Sequence, residues 1–467
     1  VKSRRDQVQA HAFVVGRLTS ALVHGEPDAP ESPMRRTSLG SFGGVMLGAL
    51  AVAGFLIWGL ISPASTAGKF TAGELVVVKQ TGSRYIFARG ELHPVLNWSS
   101  AMLLESGKTA FTAISASSLA HMPQGQPLGI VGAPDDLPAQ AILNKGSWLV
   151  CSQFSDNQPE VALAVGVRKA ASLMPPGSAV IVRTPDGSQY LIYDGDRMRL
   201  DAPWIATALG LGRAPVIDVS AAWLNAVPTG PDLRPLPVGD RGAAGPALGG
   251  RSTRVGEVLA DSNVGSASQF YLAVSGGVTP ISATQAAVLL ADPATIPAYR
   301  GATATPIPVS PAAIATASIV DENLPDGAGA PSSPPSTFPV TGSQVPCTQY
   351  AVSGDSTHST APEVVFAAPL TGAPPGQGLT DVTVSPESAG LIEVAPGGGA
   401  FVRPQAAPGV GADSLFLVTG LGVKYPIPSA TAAEALGYQA RRAARLPAAL
   451  LGLLPTGPAL DLPALRG

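Results

Sequence analysis

The rhythm of hydrophobic and polar positions changes twice along this chain. Near the start, Val8, Ala12, Val15, Leu18 and Leu22 recur at the three-to-four spacing of one helix face, and Ser3-Arg-Arg-Asp6 ahead of them reads as a helix start. A Pro/acidic linker, Gly25–Pro33, follows. Periodicity then disappears: the 22 residues Gly40–Ile61 carry no charge. At a helical rise of about 1.5 Å per residue such a run reaches roughly 33 Å, enough to cross the hydrocarbon of a bilayer. It predicts one transmembrane helix over residues 40–62, stopped by Pro63, with the amphipathic ring of Trp58 near one interface. Gly40, Gly44 and Gly48 fall four apart, a small-residue ridge along which a second helix can approach closely. The bland alternative is that glycine is simply common in membrane helices.

Beyond the span the pattern becomes short apolar strands broken by Gly turns, and it repeats. The unit is an apolar strand, a turn, a strand centred on an aromatic residue, a Gly turn, a Pro and a short Ala/Leu-rich helical run. Four copies align. The first runs through Glu74-Leu-Val-Val-Val78, Tyr85-Ile-Phe87 and Ser100-Ala-Met-Leu-Leu104. The second holds Ala179-Val-Ile-Val182, Tyr190-Leu-Ile-Tyr193 and Trp204-Ile-Ala-Thr-Ala-Leu209. The third holds Glu257-Val-Leu-Ala260, Phe270-Tyr-Leu-Ala-Val274 and Ala286-Ala-Val-Leu-Leu290. The fourth holds Ala400-Phe-Val402, Leu415-Phe-Leu-Val418 and Thr431-Ala-Ala-Glu-Ala-Leu436. Further on, Pro228-Thr-Gly-Pro-Asp-Leu233 of the second copy matches Pro455-Thr-Gly-Pro-Ala-Leu460 of the fourth, at nearly the same distance beyond the aromatic strand. A strand pair with one apolar face cannot bury it alone, so each copy reads as a small α+β unit that a helix or a neighbouring copy must cover. Pro237–Gly250 and Ala328–Pro339 read as mobile linkers.

Charge gives the span a direction. Lys2, Arg4, Arg5, Arg17, Arg35 and Arg36 precede it, whereas the next twenty residues carry only Lys69 and Lys79. The positive-inside rule places the first segment in the cytoplasm and the bulk of the chain outside. A cleaved signal peptide with a site at Ser65-Thr66-Ala67 is the rival, but the apolar run is too long and starts too far into the chain. The net charge of −3 offers nothing to nucleic acid. Cys151 and Cys347 are the two cysteines, and the five histidines are scattered, a poor basis for a zinc site. On the oxidising side a disulfide is the natural reading, two buried thiols the alternative. If the two pair, residues 111–170 and 314–396 form one core from which copies two and three project as an insertion.

Catalytic signatures are sparse. No HExxH, GxSxG or strand-linked GxGxxG occurs. Gly107-Lys108-Thr109 is the one nucleotide candidate, and it is defective: Met102 stands where a P-loop needs its first glycine. The other reading is a helix end, with Gly107 as cap and Lys108 against the dipole.

The chain resembles EccB, a core membrane component of the ESX or type VII secretion systems of actinobacteria. Carrying the resemblance are Arg5-Asp-Gln-Val-Gln-Ala-His-Ala-Phe13, the single span, Gly129-Ile-Val-Gly-Ala-Pro-Asp135, Trp148 before Cys151, Cys347, Gly422-Val-Lys-Tyr-Pro-Ile-Pro428 and Leu453-Leu-Pro-Thr-Gly-Pro-Ala-Leu460. The segment after the membrane lacks a tryptophan that the family leads one to expect. The resemblance implies an α+β protein: one transmembrane helix, then an elongated extracytoplasmic region of four repeats around a disulfide-tied core. The divisions expected are 1–39 (cytoplasmic helix and linker), 40–62 (span), 63–110 (repeat one), 111–170 (core, first part), 171–250 (repeat two), 251–313 (repeat three), 314–396 (core, second part) and 397–467 (repeat four). It also implies partners: an EccC-like FtsK/SpoIIIE motor ATPase, EccD- and EccE-like membrane subunits, a MycP-like protease and other copies of itself. No cofactor is expected. Some relatives are described as ATPases, and the repeats are similar to a phage-lysin cell-wall-binding fold. Cell-wall binding and ATP hydrolysis are therefore the alternatives to a structural role in secretion.

Overall fold

The structure is a computed structural model that describes residues 4–25, 34–61, 70–106, 110–261, 268–320, 329–352, 362–407, 410–411 and 414–461. The chain divides into two compact units: residues 1–72, 77–83 and 113–123, and residues 73–76, 84–112 and 124–467.

The first unit holds two long helices. Arg4–His24 forms where the apolar periodicity predicts it, with Asp6 in its first turn, where a carboxylate suits the helix dipole. Its apolar side chains Val8, Phe13, Val15, Leu18 and Leu22 are all exposed. The second helix, Met34–Ile61, contains the stretch Thr37–Trp58 that is long and apolar enough to cross a membrane. It starts earlier than the uncharged run because the absence of charge marks only the hydrocarbon zone. The backbone must satisfy itself inside lipid, and it keeps its helical hydrogen bonds on into the polar layer.

Beyond the two long helices the described residues form small sheets. Four of them share one topology, a meander of three strands followed by a fourth beside the first, giving the spatial order third-second-first-fourth. The strands are Glu74–Val78, Arg84–Ala88, Glu91–Pro94 and Phe111–Ile114 in the first sheet. In the second they are Ser178–Arg183, Gln189–Tyr193, Asp196–Arg199 and Val216–Asp218. In the third they are Val258–Asp261, Gln269–Val274, Gly277–Ile281 and Ile307–Val309. In the fourth they are Ala400–Ala407, Leu415–Val418, Lys424–Ile427 and Ala444–Pro447. The fourth strand runs parallel to the first in the second, third and fourth sheets. A parallel neighbour cannot follow a tight turn, so a helix intervenes each time: Trp98–Leu104, Trp204–Ala208, Ala283–Ala291 or Ala430–Ala435. Asn97, Ser282 and Ser429 cap three of these helices, each side chain accepting a backbone N–H of the first turn.

The helices pair the sheets two by two. Met102 and Leu103 of the first share a core with Phe401, Leu417, Ala432 and Leu436 of the fourth. Ile205, Ala206 and Leu209 of the second share one with Val288 of the third. Neighbours in sequence (two and three) and extremes of sequence (one and four) thus use the same helix-to-helix contact.

Between them lies a six-stranded sheet in the order Leu391–Val394, Gln158–Val167, Ser147–Ser155, Val345–Ala351, Glu363–Ala367, Ala171–Leu173. Cys151 and Cys347 stand directly opposite each other on adjacent antiparallel strands and are joined at an S–S distance of 2.08 Å. The cross-link closes a loop of 196 positions, worth about 5 kcal/mol in the chain-entropy account. One face of the sheet is bulky: Trp148, Val150, Leu163, Val165 and Phe366 pack on Trp223 and Leu224 of the second repeat and on Leu450 and Leu451 of the fourth. The other face sets Leu149 and Val365 among smaller residues, Cys151, Ala162, Ala164, Cys347 and Ala367, under Leu370. Burial on both faces is why Trp148-Leu-Val-Cys151 and Val161-Ala-Leu-Ala-Val165 are unbroken apolar runs.

Two expectations change. The second repeat does not merely project from the core. Its helix Ala221–Ala226 covers the central sheet, and the Tyr350 hydroxyl donates to the Ala226 carbonyl. Nor are the two linkers loose among their described residues. Ala244–Leu248 pairs with Arg251–Arg254, Ser336–Thr337 pairs with Ser178–Ala179, and Phe338 packs on Phe366 at 5.1 Å between centroids. Pro and Gly composition registers backbone constraint, not the distant strand that will pair with the segment.

Burial pushes the Tyr350 hydroxyl up from 10.0 to about 12. Stability linked to it is fully present below pH 10 and is lost as pH rises through about 12. Tyr350→Phe is expected to lower stability by about 1 kcal/mol at neutral pH and to flatten the alkaline decline, as read by urea unfolding between pH 8 and about 12.

Candidate functional site

The residues singled out in the sequence fall in separate places. Gly40, Gly44 and Gly48 lie along the membrane helix, where an added Cβ would meet no described atom beyond the helix's own adjoining backbone within 4 Å. The ridge is thus unfilled by the described residues. Cys151 and Cys347 are brought together and wholly buried. Gly107, Lys108 and Thr109 lie outside the described residues. Among the described residues no group of three or more His, Cys, Asp and Glu side chains could hold a metal ion. The buried ion pair Arg241–Asp292, at 2.6 Å, is structural: Arg241 also donates to Thr295 and to the Leu236 carbonyl inside the third repeat.

What the structure does repeat is an edge. In every sheet a chain segment that follows a second short helix bridges, in parallel, to the third strand: Leu92 with Gln124, Arg197 with Thr229, Val278 with Ile319, Lys424 with Thr456. The segments read Pro123-Gln-Gly-Gln-Pro-Leu128, Pro228-Thr-Gly-Pro-Asp-Leu233 and Pro455-Thr-Gly-Pro-Ala-Leu460 in repeats one, two and four. The shared pattern is P-x-G-x-x-L. Sequence comparison found it in two copies and missed the first, although Pro123, Gly125 and Leu128 were legible. The leucine enters the core in repeats two and four, with Leu233 and Leu460 buried. The glycine permits close approach: a Cβ at Gly125 would overlap the His93 ring and one at Gly457 the Tyr425 ring. In the third repeat the close approach moves to the partner strand, where a Cβ on Gly277 would overlap the Ser318 carbonyl.

A basic side chain of the third strand ties this edge to the preceding helix in repeats two and four. Arg197 donates to the Leu224 carbonyl at 2.8 Å and to Asn225 at 2.9 Å. Lys424 donates to the equivalent Leu451 carbonyl. Burial pushes the Lys424 ammonium down, and the nearby Glu387 carboxylate opposes the shift. Cations at helix C-termini suit the exposed carbonyls there. These groups position backbone; nothing in their arrangement supplies a nucleophile or an acid–base pair.

A family model described as type VII secretion system ESX-1, transport TM domain B, matches residues 2–465. The ESX-3 secretion system ATPase EccB3 of Mycolicibacterium smegmatis is 27% identical over 491 residues, 98% of this chain and 89% of that protein. Its namesake in Mycobacterium tuberculosis is 28% identical over 503 residues, 98% of this chain and 88% of that one. Among solved structures, the EccB3 dimer from the ESX-3 core complex superposes with a TM-score of 0.65 at 27% identity, covering 84% of this chain and 99% of that one. A chain of the intact ESX-5 inner membrane complex has the same fold, with a TM-score of 0.64 at 23% identity, covering 100% of this chain and 95% of that one.

Gly457→Ala is expected to cost about 1–3 kcal/mol, because the buried Tyr425 ring must shift. Gly239→Ala, with no atom within 4 Å and an ordinary backbone, should change stability by less than about 0.5 kcal/mol. Denaturant unfolding of the two variants, followed by tryptophan fluorescence, distinguishes them.

Proposed function

Because this chain belongs to the EccB family of type VII secretion proteins, we propose that it is a membrane-anchored structural subunit of an ESX secretion complex. The observation that carries this reading is the end-to-end family match, residues 2–465, on a chain with one membrane-length helix and a four-sheet outer region. Relatives with solved structures occur as a dimer and within inner membrane complexes. For this chain the proposal names an EccC-like FtsK/SpoIIIE ATPase, EccD- and EccE-like subunits, a MycP-like protease and further copies of itself as partners. The charge asymmetry about the span supports a cytoplasmic first helix and an outer bulk. The exposed apolar side chains of Arg4–His24 and the glycine ridge of the span are the surfaces offered to partners inside and within the membrane. The division into four repeats and a two-part core belongs to the same proposal. Its support is the common strand order, with the first repeat running on to Leu128.

Complexes solubilised from native membranes should contain an FtsK-like ATPase, and Gly44→Leu should lower its recovery severalfold while leaving insertion unchanged. A stable monomer under those conditions would overturn the assignment.

A second reading is ATP hydrolysis, favoured by the names of the curated relatives. It requires turnover by the purified full-length chain that Lys108→Ala abolishes. Turnover indifferent to that change would reject it.

A further inference from the structure

The second and fourth repeats share three matching hydrogen bonds along the outer edge, yet among the described residues only the fourth has that edge covered. In the fourth, the Lys424 N–H donates to the Pro455 carbonyl, the Gly457 N–H to Lys424 and the Leu460 N–H to Pro426, at 3.0, 2.9 and 2.8 Å. In the second, the Arg197 N–H donates to Pro228, the Gly230 N–H to Arg197 and the Leu233 N–H to Arg199, at 2.8, 2.9 and 2.8 Å. Thr229 therefore holds the place of Thr456, Arg197 that of Lys424, and Asn225 that of Gly452.

Thr456 carries a further piece of this chain on its outer side. The Thr383 N–H donates to the Thr456 carbonyl at 2.8 Å, and the Thr456 N–H donates to the Thr383 carbonyl at 2.9 Å, an antiparallel two-bond bridge. The segment continues to Glu387, which acts on Lys424 and lies against Gly452, and to Ala389, whose N–H donates to the Leu453 carbonyl at 2.8 Å.

At Thr229 no such added strand lies among the described residues. Among the described residues its N–H and carbonyl bond to no other backbone group. Thr229 instead lines an open cleft of about 590 Å³, together with Asp186, Tyr190, Arg197, Arg199, Asn225 and Asp232 among others. Arg199 is exposed and has no side-chain partner among the described residues. The Ala226 carbonyl, counterpart of Leu453, is already taken by the Tyr350 hydroxyl. The open register is thus centred on Thr229 and does not reach deeper.

We propose that this cleft is a strand-docking site for an extended segment of a partner polypeptide, which adds to the edge at Thr229 as the Thr383 segment adds at Thr456. Backbone bonds supply the register, as in other edge additions. Chemistry at the flanks selects the occupant: a carboxylate four residues beyond the bridging residue meets Arg197 and Asn225, as Glu387 meets Lys424 and Gly452. Arg199 widens the preference for an acidic segment, and Asp186 and Asp232 disfavour a second carboxylate near them.

The test uses full-length protein in detergent and a fluorescein-labelled peptide copying residues 380–389, Thr-Asp-Val-Thr-Val-Ser-Pro-Glu-Ser-Ala. Saturable binding, read by anisotropy, is expected. N-methylation of the peptide at the Thr383 position should weaken it at least tenfold, because it removes the bridging N–H. Ala221→Trp, which fills the mouth of the cleft from an exposed position, should weaken it equally, and Arg199→Glu should do so in a salt-dependent way. Absence of saturable binding, or binding indifferent to both N-methylation and Ala221→Trp, would overturn the proposal. A photo-cross-link from position 225 that returns to the same molecule would assign the cleft to this chain itself and overturn an occupant from a partner.

Discussion

One strand pair holds the outer region together: Ser147–Ser155 against Val345–Ala351, cross-linked where Cys151 faces Cys347. The two strands come from distant parts of the chain, and everything between them, including two whole repeats, is tied off by their pairing. Because both faces of the sheet are buried, its strands contain almost no polar alternation to fix which residue meets which. The covalent bond between directly opposed cysteines removes that freedom of register. The cysteine face carries Leu149 and Val365 among alanines, whereas the aromatic Trp148 and Phe366 lie on the other face, where the second and fourth repeats pack.

The four repeats solve one problem with one device. A three-stranded meander leaves its first strand with an open edge, and open edges pair with whatever is available. Each repeat closes that edge with its own fourth strand and brings a further segment beside its third strand at the opposite edge. Stacking helix on helix then buries the remaining apolar face, repeat one against four and two against three. The fourth repeat goes one step further and covers its outermost segment with residues around Thr383. Among the described residues nothing bonds to the same backbone in the second. Duplicated architecture with unequal finishing is where interaction sites arise, because the geometry for an added strand is already built.

The parts of the fold that could be read in advance share a physical origin. An uncharged run of bilayer length has one outcome in lipid, since an unsatisfied backbone cannot remain there. Strands and turns of the repeats were visible because period-two burial and positive-φ glycines are local demands on residue type, as at Gly187 and Gly422, which hold φ of 84° and 71°. The candidate site was half legible. The Pro-Thr-Gly-Pro match is legible in the sequence; its structural meaning is not. The glycine is required by the ring of Tyr425 across the edge, a contact that spacing along the chain cannot reveal. The looser Pro123–Leu128 copy escaped because only three of its six positions are constrained.

By itself, then, the sequence determined the membrane helix, the four-fold recurrence, the chemistry of the turns and the identity of the two residues able to cross-link. Tertiary structure alone decided which repeat packs on which, why the supposed linkers are strands, and that one repeat edge is covered by the Thr383 segment while its twin has no such cover among the described residues. The division follows the range of the forces. Solvation, propensity and backbone sterics act within a few residues and leave their mark in local composition. Pairing between strands hundreds of positions apart depends on shape and burial, which any apolar strand of suitable length satisfies until the whole chain has chosen among them.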